Sequence, residues 1–524
     1  MKLDAAEVKK SDLKSYDVCI VGGGAVGYAI ADRLKDSGKE VVVLESGIKN
    51  ERKGSNYHWD QHPRFWDANP EVRDLDKGVL NDYVSSVNQN FLTESRTRCL
   101  GGSTNCWGGW IRPLDSYDFD EWPINRSDLV SSYVDALSLV DLGHFDLFDK
   151  PLEWESITGS EIKPFDAAIL KEHGLKTVVI QQQSSTFLID FQEQFASLFD
   201  EHENLTLITN FNALKLELQS GNSTRISGVY GRPLVEKDGE LVPGDPLLIE
   251  ASKVVLAMGG LEATRFLLIN GFDKEPMSLT DIGKYYMNHP KYITAAQPNL
   301  PTDHPLAPDS GPEANFYKRL VSVNSGRGGA HIQAYVVPEE QNIRNYGIRN
   351  FRTALNWEVK QVPNQNYKVQ YVNIEINFEQ APNKESRISL NPKKTDIFGQ
   401  RLIDLDMRFV PQDADTLNYS MKPMFSWLKH FGPIGDDRKQ TTWNYAANPF
   451  PPQKDSLGGE IYLGDHHMGT LRMGDGSAGV VDEKLKVRFT DNLYVCSTAV
   501  YPTGGWANAT LTLLALALRL ADDL

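Results

Sequence analysis

The first residues with the spacing of a chemical site are three glycines near the start of the chain. Residues 22–27 read GGGAVG, which places Gly22, Gly24 and Gly27 in the pattern GxGxxG directly after the apolar run 17–21. Gly22 permits a tight turn, Gly24 lets the backbone approach a pyrophosphate, and Gly27 lets a helix pack closely on a strand. The phosphates would lie at a helix N-terminus, where free N–H groups and the helix dipole favour negative charge.

The residues around these glycines complete a strand–helix–strand unit. The sequence predicts a helix from Ala25 to Ser37 that is ended by Gly38, and then a buried strand that ends at Glu45. Glu45 lies 18 residues after Gly27, where an acid can hydrogen-bond the ribose diol of a dinucleotide. The alternative for Glu45 is an ordinary surface acid. The whole unit predicts dinucleotide binding without distinguishing FAD from NAD.

The composition argues against several other classes of protein. The net charge of −16 over 524 residues lacks the positive field that nucleic acids require, and it disfavours anionic substrates. The four cysteines form no CxxC pair and no disulfide scaffold, and the N-terminal residues lack the apolar core of a signal peptide. The longest apolar run is shorter than the ~20 residues that cross a bilayer. We therefore expect a cytoplasmic protein with no membrane span and no nucleic-acid partner.

The pattern of the remaining chain indicates a second domain inserted into the first. Residues 125–200 are predicted to be mostly helical, residues 205–219 alternate as strands do, and residues 251–260 form a strand that leads into a helix. From 291 to 455, strand-like runs alternate with turn signals. The stretch EQAPNKESRISLN (379–391) is interpreted as a structural hairpin of this second sheet. Glycine-rich and buried-strand character returns near the C-terminus.

Seven segments occur in the order and approximate spacing that are typical of one enzyme family. They are the N-terminal glycine motif, RCLGGSTNCWGG (98–109), VVLAMGGLEATRFLL (254–268), IGKYYMNHP (282–290), FEQAPNKESRISL (378–390), HHMGTLRMG (466–474) and GVVDEKLKVRFTDNLYVCSTAVYPTGGWANATLT (479–512). Through them the chain resembles the glucose–methanol–choline (GMC) flavoprotein oxidoreductases nearly end to end. Its YPTGGWANATLT segment is closest to the pyranose-oxidase-like branch. The resemblance implies bound FAD and the oxidation of an alcohol.

The resemblance also implies the fold. We expect an α/β protein with a Rossmann-type FAD-binding domain and an α+β substrate domain that is built on a large, mainly antiparallel sheet. The FAD-binding domain is expected from residues 12–120, 201–290 and 458–524, and the substrate-binding domain from residues 121–200 and 291–457.

Family positions imply a catalytic pair. A histidine three residues before the Gly-Thr of the C-terminal motif is His466, and its partner on the loop before the last helix is Asn508. Hydride transfer from the alcohol to flavin N5 needs a group that takes the hydroxyl proton, and histidine suits this because its pKa lies near the working pH. Asn508 would then hydrogen-bond the developing alkoxide. His467 is the alternative base, and Asn508 could instead be a helix N-cap.

The resemblance further implies a set of FAD contacts along the chain. They are Gly22, Gly24, Ala25, Val26, Gly27, Glu45, Ser46, Arg98, Gly101, Gly102, Ser103, Asn105, Cys106, Trp107, Leu214, Ala257, Gly259, Ser497, Thr498, Asn508, Ala509 and Thr510. Residues 101–105 should form a backbone cradle beside the flavin and the pyrophosphate. Their alternative is a tight turn without a ligand. Leu214 should flank the adenine.

Two positions depart from the family pattern. Cys106 stands where some relatives carry a histidine that bonds covalently to the flavin. A histidyl link is therefore excluded, and non-covalent FAD is favoured over a cysteinyl thioether. Ser497 stands where many relatives carry an aspartate. The hydroxyl groups of Ser497 and Thr498 can bond the ribityl chain or a phosphate, but they carry no charge.

The leading functional hypothesis is FAD-dependent oxidation of an alcohol on a sugar, a glycoside or another polyol. Oxygen, a quinone or another acceptor would reoxidise the flavin. Trp107, Trp110 and Trp506 are candidates for the walls of the substrate pocket, although core packing explains them equally well. The alternatives are a hydroxynitrile-lyase-like enzyme without net redox, a non-catalytic flavin- or sugar-binding protein, an NAD-dependent dehydrogenase, and a sterol or aliphatic alcohol as substrate. No metal site is expected, and a homo-oligomer is left open.

Overall fold

Two large β-sheets form the framework of the protein. The computed structural model describes residues 1–47, 72–76, 92, 95–105, 107–143, 148, 167–183, 191–293, 297–298, 321–323, 330–361, 368–428, 460–475 and 478–524. Within these residues, eight strands build one sheet and nine build the other.

The described part of the chain contains 22 strands and eight α-helices. The strands are β1 (Lys2–Asp4), β2 (Tyr16–Val21), β3 (Val41–Leu44), β4 (Val72–Asp76), β5 (Trp110–Ile111), β6 (Leu175–Gln183), β7 (Leu205–Thr209), β8 (Asn212–Gln219), β9 (Asn222–Arg232), β10 (Leu234–Lys237), β11 (Glu240–Pro243), β12 (Leu247–Leu256), β13 (Lys291–Ile293), β14 (Gln297–Pro298), β15 (Val321–Val323), β16 (Ala330–Pro338), β17 (Phe351–Gln361), β18 (Lys368–Phe378), β19 (Arg387–Thr395), β20 (Arg401–Arg408), β21 (Glu460–Tyr462) and β22 (Leu493–Val495). The helices are α1 (Ala25–Leu34), α2 (Val130–Leu139), α3 (Ala167–Glu172), α4 (Phe191–Glu201), α5 (Gly259–Ile269), α6 (Glu340–Tyr346), α7 (Pro411–Leu428) and α8 (Thr510–Asp523).

The first sheet has a parallel centre. Its strand order is β1-β7-β3-β2-β12-β9-β8, and β22 pairs with β12. The pairs from β1 to β12 and the β12–β22 pair are parallel, whereas β9 and β8 form an antiparallel edge. Val18, Cys19 and Ile20 in β2 are fully buried, as expected for a central strand that is covered on both faces. The predicted strand–helix–strand unit is therefore confirmed, although α1 ends at Leu34 rather than at Ser37.

The second sheet is antiparallel at every described pairing. Its order is β21-β13-β18-β17-β16-β6-β5, with β14 on β18 and β15 on β16. Together the two sheets confirm a mixed α/β protein. The long pairing of β17 with β18 places Arg352 directly opposite Asn377, close to the loops that carry the candidate active site.

One sequence prediction about local structure was incomplete and one was wrong. Residues 125–200 were expected to be mostly helical, and the described ones do include α2, α3 and α4, but β6 (Leu175–Gln183) also runs through them and pairs with β16 along its whole length. The segment 379–391 is not a hairpin of the second sheet, because β18 pairs with β17 whereas β19 pairs with β20 in a separate sheet with β4. The partner of β19 was misjudged because the alternation of apolar residues identifies a strand but not its partner.

The two halves of the protein are interleaved along the chain. Helix α2, from the segment predicted for the substrate domain, packs against α8, and β5, from the segment predicted for the FAD-binding domain, pairs with β6. The exact boundaries between the domains therefore stay a prediction. Among the described residues, no helix is both long enough and apolar enough to span a bilayer.

We expect Asn492→Ala to destabilise the first sheet. The buried amide of Asn492 accepts from the Ile226 N–H at 2.8 Å and donates to the carbonyls of Ile226 and Ser252, both at 2.7 Å. Its removal leaves three backbone groups of β9 and β12 without partners, which should lower the free energy of unfolding by about 3 kcal/mol. Urea titration of the holoenzyme measures this. The exposed amide of Asn345 gives the control, Asn345→Ala, and equal losses in the two variants would contradict the prediction.

Candidate active site

The GxGxxG turn has the geometry of a phosphate-binding loop. Gly22 has a φ of +119°, which favours glycine, and a Cβ on Gly27 would lie 2.2 Å from the Gly22 carbonyl oxygen. Gly24 differs, because a Cβ there would have the Cα of Gly102 as its nearest neighbour, 4.0 Å away. Space is therefore open beside Gly24 at the N-terminus of α1, where Ala25 and Val26 begin the helix.

A second glycine loop closes on the first. Gly101 pairs with Gly24 in a parallel bridge, and the Gly101 N–H donates to the Gly23 carbonyl oxygen at 2.7 Å. Residues 102–105 then form a 3-10 turn, and the Thr104 hydroxyl donates back to the Gly101 carbonyl. The cradle that was predicted at residues 101–105 thus lies against the GxGxxG turn.

Glu45 is buried at the end of β3, 5% exposed, so the alternative of a surface acid is wrong. Its Oε2 accepts from the Gly23 N–H at 2.8 Å and its Oε1 accepts from the Gly47 N–H at 2.6 Å. Beside it, Arg98 Nε donates to the Ser46 hydroxyl at 2.8 Å. The tertiary fold therefore brings Glu45, Ser46 and Arg98 together at the carboxyl end of β3.

Buried polar atoms around the cradle fit a dinucleotide. Asn105 Oδ1 and Trp107 Nε1 are buried and have no hydrogen-bond partner within the described part of the chain. A buried acceptor or donor without a hydrogen bond destabilises the folded protein unless a ligand bonds to it. The Ser103 hydroxyl is exposed and lies 3.4 Å from the Thr97 N–H. Cys106 lies outside the described residues.

The other predicted cofactor residues divide into two groups. Ala257 follows β12 and donates its N–H to Val21, and Gly259 has a φ of +72° with open space beside it, so both border the turn. Ser497 caps a short 3-10 turn, and the Thr498 hydroxyl donates to the His467 carbonyl at 2.6 Å. These two hydroxyl groups therefore have structural partners in the chain itself.

Leu214 lies at an irregularity of β8, away from the contacts of the cradle. Its carbonyl accepts from the Gln400 amide at 2.7 Å, and it lines a pocket together with Asn270 and Pro276 near the end of α5. The predicted contact of Leu214 with adenine stays a prediction.

His466 is paired with a histidine that the sequence did not indicate. The Nδ1 atoms of His466 and His289 lie 2.8 Å apart with perpendicular rings, and His289 Nε2 lies 3.3 Å from the Gly504 carbonyl oxygen. A carbonyl can only accept, so His289 carries its proton on Nε2 and accepts on Nδ1. His466 must then donate from Nδ1. Its Nε2 therefore presents a lone pair, and it has no hydrogen-bond partner among the described residues.

His467 is engaged on both sides of its ring. Its Nε2 lies 2.8 Å from the Ser95 hydroxyl, and its Nδ1 lies 2.8 Å from the Tyr286 hydroxyl. The side chain is buried. The arrangement favours a structural role for His467 and leaves His466 as the histidine with an open nitrogen.

The environment keeps all three histidines neutral. Burial lowers the pKa of His289 to about 3, with a further contribution from the charge of Arg352. Burial and the neighbouring His289 hold the pKa of His466 well below its usual range, and Lys291 and Arg352 add to this. Burial and Arg96 lower the pKa of His467 to about 3. A neutral His466 can accept a proton, as a base must.

Asn508 is oriented by an arginine. Arg352 Nη1 donates to Asn508 Oδ1 at 3.0 Å. The helix cap of α8 is Ala509, with Thr510 as the first helical residue, so the alternative of Asn508 as the N-cap is wrong. Because Oδ1 is occupied, the amide presents its Nδ2 hydrogens to a ligand.

Two acids hold the loop that precedes Asn508, which contains Gly504 and Trp506. Glu379 Oε1 accepts from the Gly504 N–H at 3.1 Å, and Asp115 Oδ2 accepts from Trp506 Nε1 at 2.9 Å. Burial raises the pKa of Glu379, which the charge of Arg349 opposes. The sequence had placed Glu379 in a purely structural hairpin. His289 lies in the segment IGKYYMNHP, which was quoted for the family resemblance, but its contact with His466 was not predicted.

We expect Gly24→Val to empty the cofactor site without unfolding the chain. The backbone of Gly24 is ordinary (φ −88°, ψ −170°), so a side chain fits the fold but fills the open space beside α1. The content of FAD, measured as the ratio of absorbance at 450 and 280 nm, should fall by about tenfold or more. Gly143→Val, which also meets no atom within 4 Å, is the control. Normal FAD content in Gly24→Val would contradict the assignment.

Comparisons with known proteins show which enzymes this chain is similar to. Residues 382–517 match the family model described as "GMC oxidoreductase". Paromamine 6'-oxidase from Streptomyces fradiae is 23% identical over 98% of this chain and 92% of that protein. Oxygen-dependent choline dehydrogenase from Staphylococcus aureus is 31% identical over 113 residues, which are 21% of this chain and 19% of that protein.

Solved structures agree in fold. Pyridoxine 4-oxidase from Mesorbium loti has a TM-score of 0.59 at 17% identity, over 97% of this chain and 99% of that one. Formate oxidase from Aspergillus oryzae RIB40 has a TM-score of 0.56 at 16% identity, over 97% and 98%. Residues 382–517 thus match the GMC oxidoreductase family model, and over nearly its whole length the chain is similar in sequence to one oxidase and in fold to two others.

Proposed function

We propose that the chain oxidises an alcohol on a sugar, glycoside or polyol, with His466 as the proton acceptor and Asn508 as the hydrogen-bond donor to the substrate oxygen. The observation that carries this proposal is that one side chain leaves a hydrogen-bond acceptor open and the other leaves a donor open. His466 presents a bare Nε2, and Asn508 presents its Nδ2 hydrogens. An alcohol needs this combination, because its hydroxyl group donates one hydrogen bond and accepts another.

FAD supplies the acceptor for the hydride when it is bound. The chain itself has to handle the proton and the charge. As the hydroxyl proton moves to His466 Nε2, negative charge grows on the substrate oxygen, where the Nδ2 group of Asn508 and the cation of Arg352 stabilise it. His289 already holds the accepting His466, and Arg352 already holds the donating Asn508, so neither group has to reorganise during the reaction.

The relative named for oxidising the 6' position of paromamine supports a sugar-like substrate. Trp110 is only partly buried and packs edge-on against the buried ring of Tyr335 with ring centroids 6.4 Å apart, so the ring of Trp110 suits a sugar face. Trp506 is 1% exposed and holds Asp115 and Arg352, so core packing explains it better than a pocket wall. Oxygen, a quinone or another acceptor for the reoxidation remains a proposal, as do the domain boundaries and a cytoplasmic location.

We expect His466→Ala to remove turnover while FAD stays bound. General base catalysis contributes about 10²–10⁴ in rate, so anaerobic flavin reduction by a substrate alcohol, followed at 450 nm, should slow by a factor in this range. The matched variant is His467→Ala. It breaks contacts to Ser95 and Tyr286 and should mainly lower the melting temperature. The proposal fails if His467→Ala stops reduction and His466→Ala does not, or if no sugar or polyol reduces the flavin.

We expect activity to persist on the acid side of neutrality. Burial and nearby cations lower the pKa of His466 below 6.5, so the neutral, active form dominates until the pH falls through that lowered value. The acid limb of kcat/KM for a neutral alcohol should therefore have its midpoint below about 6.5. A midpoint above 7 that is absent in His466→Ala would show that the histidine is not held neutral in this way.

A further inference from the structure

Three polar residues form a row across the second sheet beside the candidate active site. Lys291 on β13 lies opposite Asn377 on β18, and Asn377 lies opposite Arg352 on β17. Residues directly opposite in neighbouring antiparallel strands project from the same face. The row ends at Asn508, to which Arg352 donates a hydrogen bond.

Two of the three residues in the row are buried, and their polar atoms are incompletely paired. Arg352 is 8% exposed and Asn377 is 2% exposed. Arg352 Nε and Asn377 Oδ1 are both buried without a hydrogen-bond partner within the part of the chain that the structure describes. One open donor and one open acceptor in the same row indicate a ligand that brings both an acceptor and a hydroxyl group.

Within the part of the chain that the structure describes, Lys291 lies near the carboxylate of Asp465, but the cation of Arg352 has no carboxylate partner. The described residues place no carboxylate within ion-pairing distance of Arg352, whose guanidinium lies over the rings of Tyr335 and Trp506 at 4.9 and 5.8 Å. The nearby acid Glu375 accepts from Asn377 Nδ2 at 2.7 Å. The adjacent histidines are neutral. Burying an unpaired cation raises the free energy of the folded state unless an anion binds beside it. A site that favours an anion is unexpected in a chain of net charge −16.

We propose that Lys291, Asn377 and Arg352 form a subsite for a carboxylate group of the substrate, so that the alcohol oxidised belongs to a polyhydroxylated acid. This inference rests on the proposed function. The planar guanidinium of Arg352 matches a carboxylate, and Asn377 Oδ1 accepts from a hydroxyl group beside it. The positive field of Arg352 and Lys291 thus favours anionic substrates at this site, whereas the net charge of the chain alone predicts that they are disfavoured.

A bound carboxylate would also act on the proposed base. Arg352 and Lys291 both oppose protonation of His466. An anion between them cancels part of their field, and it therefore makes His466 more basic when the substrate is in place. A neutral polyol lacks this effect, so it should be both bound and oxidised less well.

The test compares gluconate with sorbitol, two six-carbon polyols that differ at one end by a carboxylate. Anaerobic flavin reduction gives an apparent dissociation constant and a limiting rate for each. In Arg352→Gln both polyols lose the arginine that orients Asn508, but the dissociation constant of gluconate should rise on the order of 10–100-fold more than that of sorbitol, because only gluconate also loses a charge partner. Lys291→Gln, which is not in contact with Asn508, should raise the constant of gluconate several-fold. Arg344→Gln removes an exposed cation and is the control for net charge.

Acetate, which has no alcohol to oxidise, separates binding from turnover. Its titration should perturb the FAD absorbance of the wild type and of Arg344→Gln, but not that of Arg352→Gln. If acetate binds through Arg352 while neither polyol reduces the flavin, the subsite stands and the proposed function fails. If the wild type favours sorbitol, or if Arg352→Gln weakens both polyols equally or still binds acetate, the subsite is wrong whatever the outcome for the function.

Discussion

The candidate active site depends on the direction of one hydrogen bond, between the Nδ1 atoms of His289 and His466. The carbonyl of Gly504 fixes that direction, because it can only accept from His289 Nε2. Glu379 holds the same peptide from its other side through the Gly504 N–H. A backbone position thereby decides which nitrogen of His466 is left bare, and a change in this loop would alter the chemistry without touching His466.

The two sheets supply complementary parts of this arrangement. The first sheet positions the glycine turns and Glu45 at the carboxyl ends of its parallel strands, and it leaves open space at the N-terminus of α1 that would suit a dinucleotide. The second sheet brings Arg352 to Asn508. Burial then keeps the histidines neutral beside fixed cations, so the site is ready to accept a proton and to stabilise an oxyanion in the same small volume.

The sequence predicted the strand–helix–strand unit of the first sheet well because its signals are local. GxGxxG, the apolar strands around it and the acid at 45 all lie within one strand–helix–strand unit, and Glu45 does contact the turn. The second half was predicted less well. The strand at 175–183 was missed inside a mostly helical segment, and the partner of the strand at 387–395 was misjudged because a pairing partner is a long-range property. Resemblance to the family identified His466 and Asn508, but not the residues that set their polarity.

By itself, the sequence therefore determined the resemblance to the family and the glycine turn, which is carried by residues that are close along the chain, and it proposed the pair His466 and Asn508 through that resemblance. Only the tertiary structure decided how those residues can act. His289, Arg352, Glu379 and Gly504 come from separate segments, and they meet at distances of 2.8–3.3 Å from their partners. Tautomers, amide orientations and unbalanced charges follow from such contacts, and no pattern along a single segment encodes them.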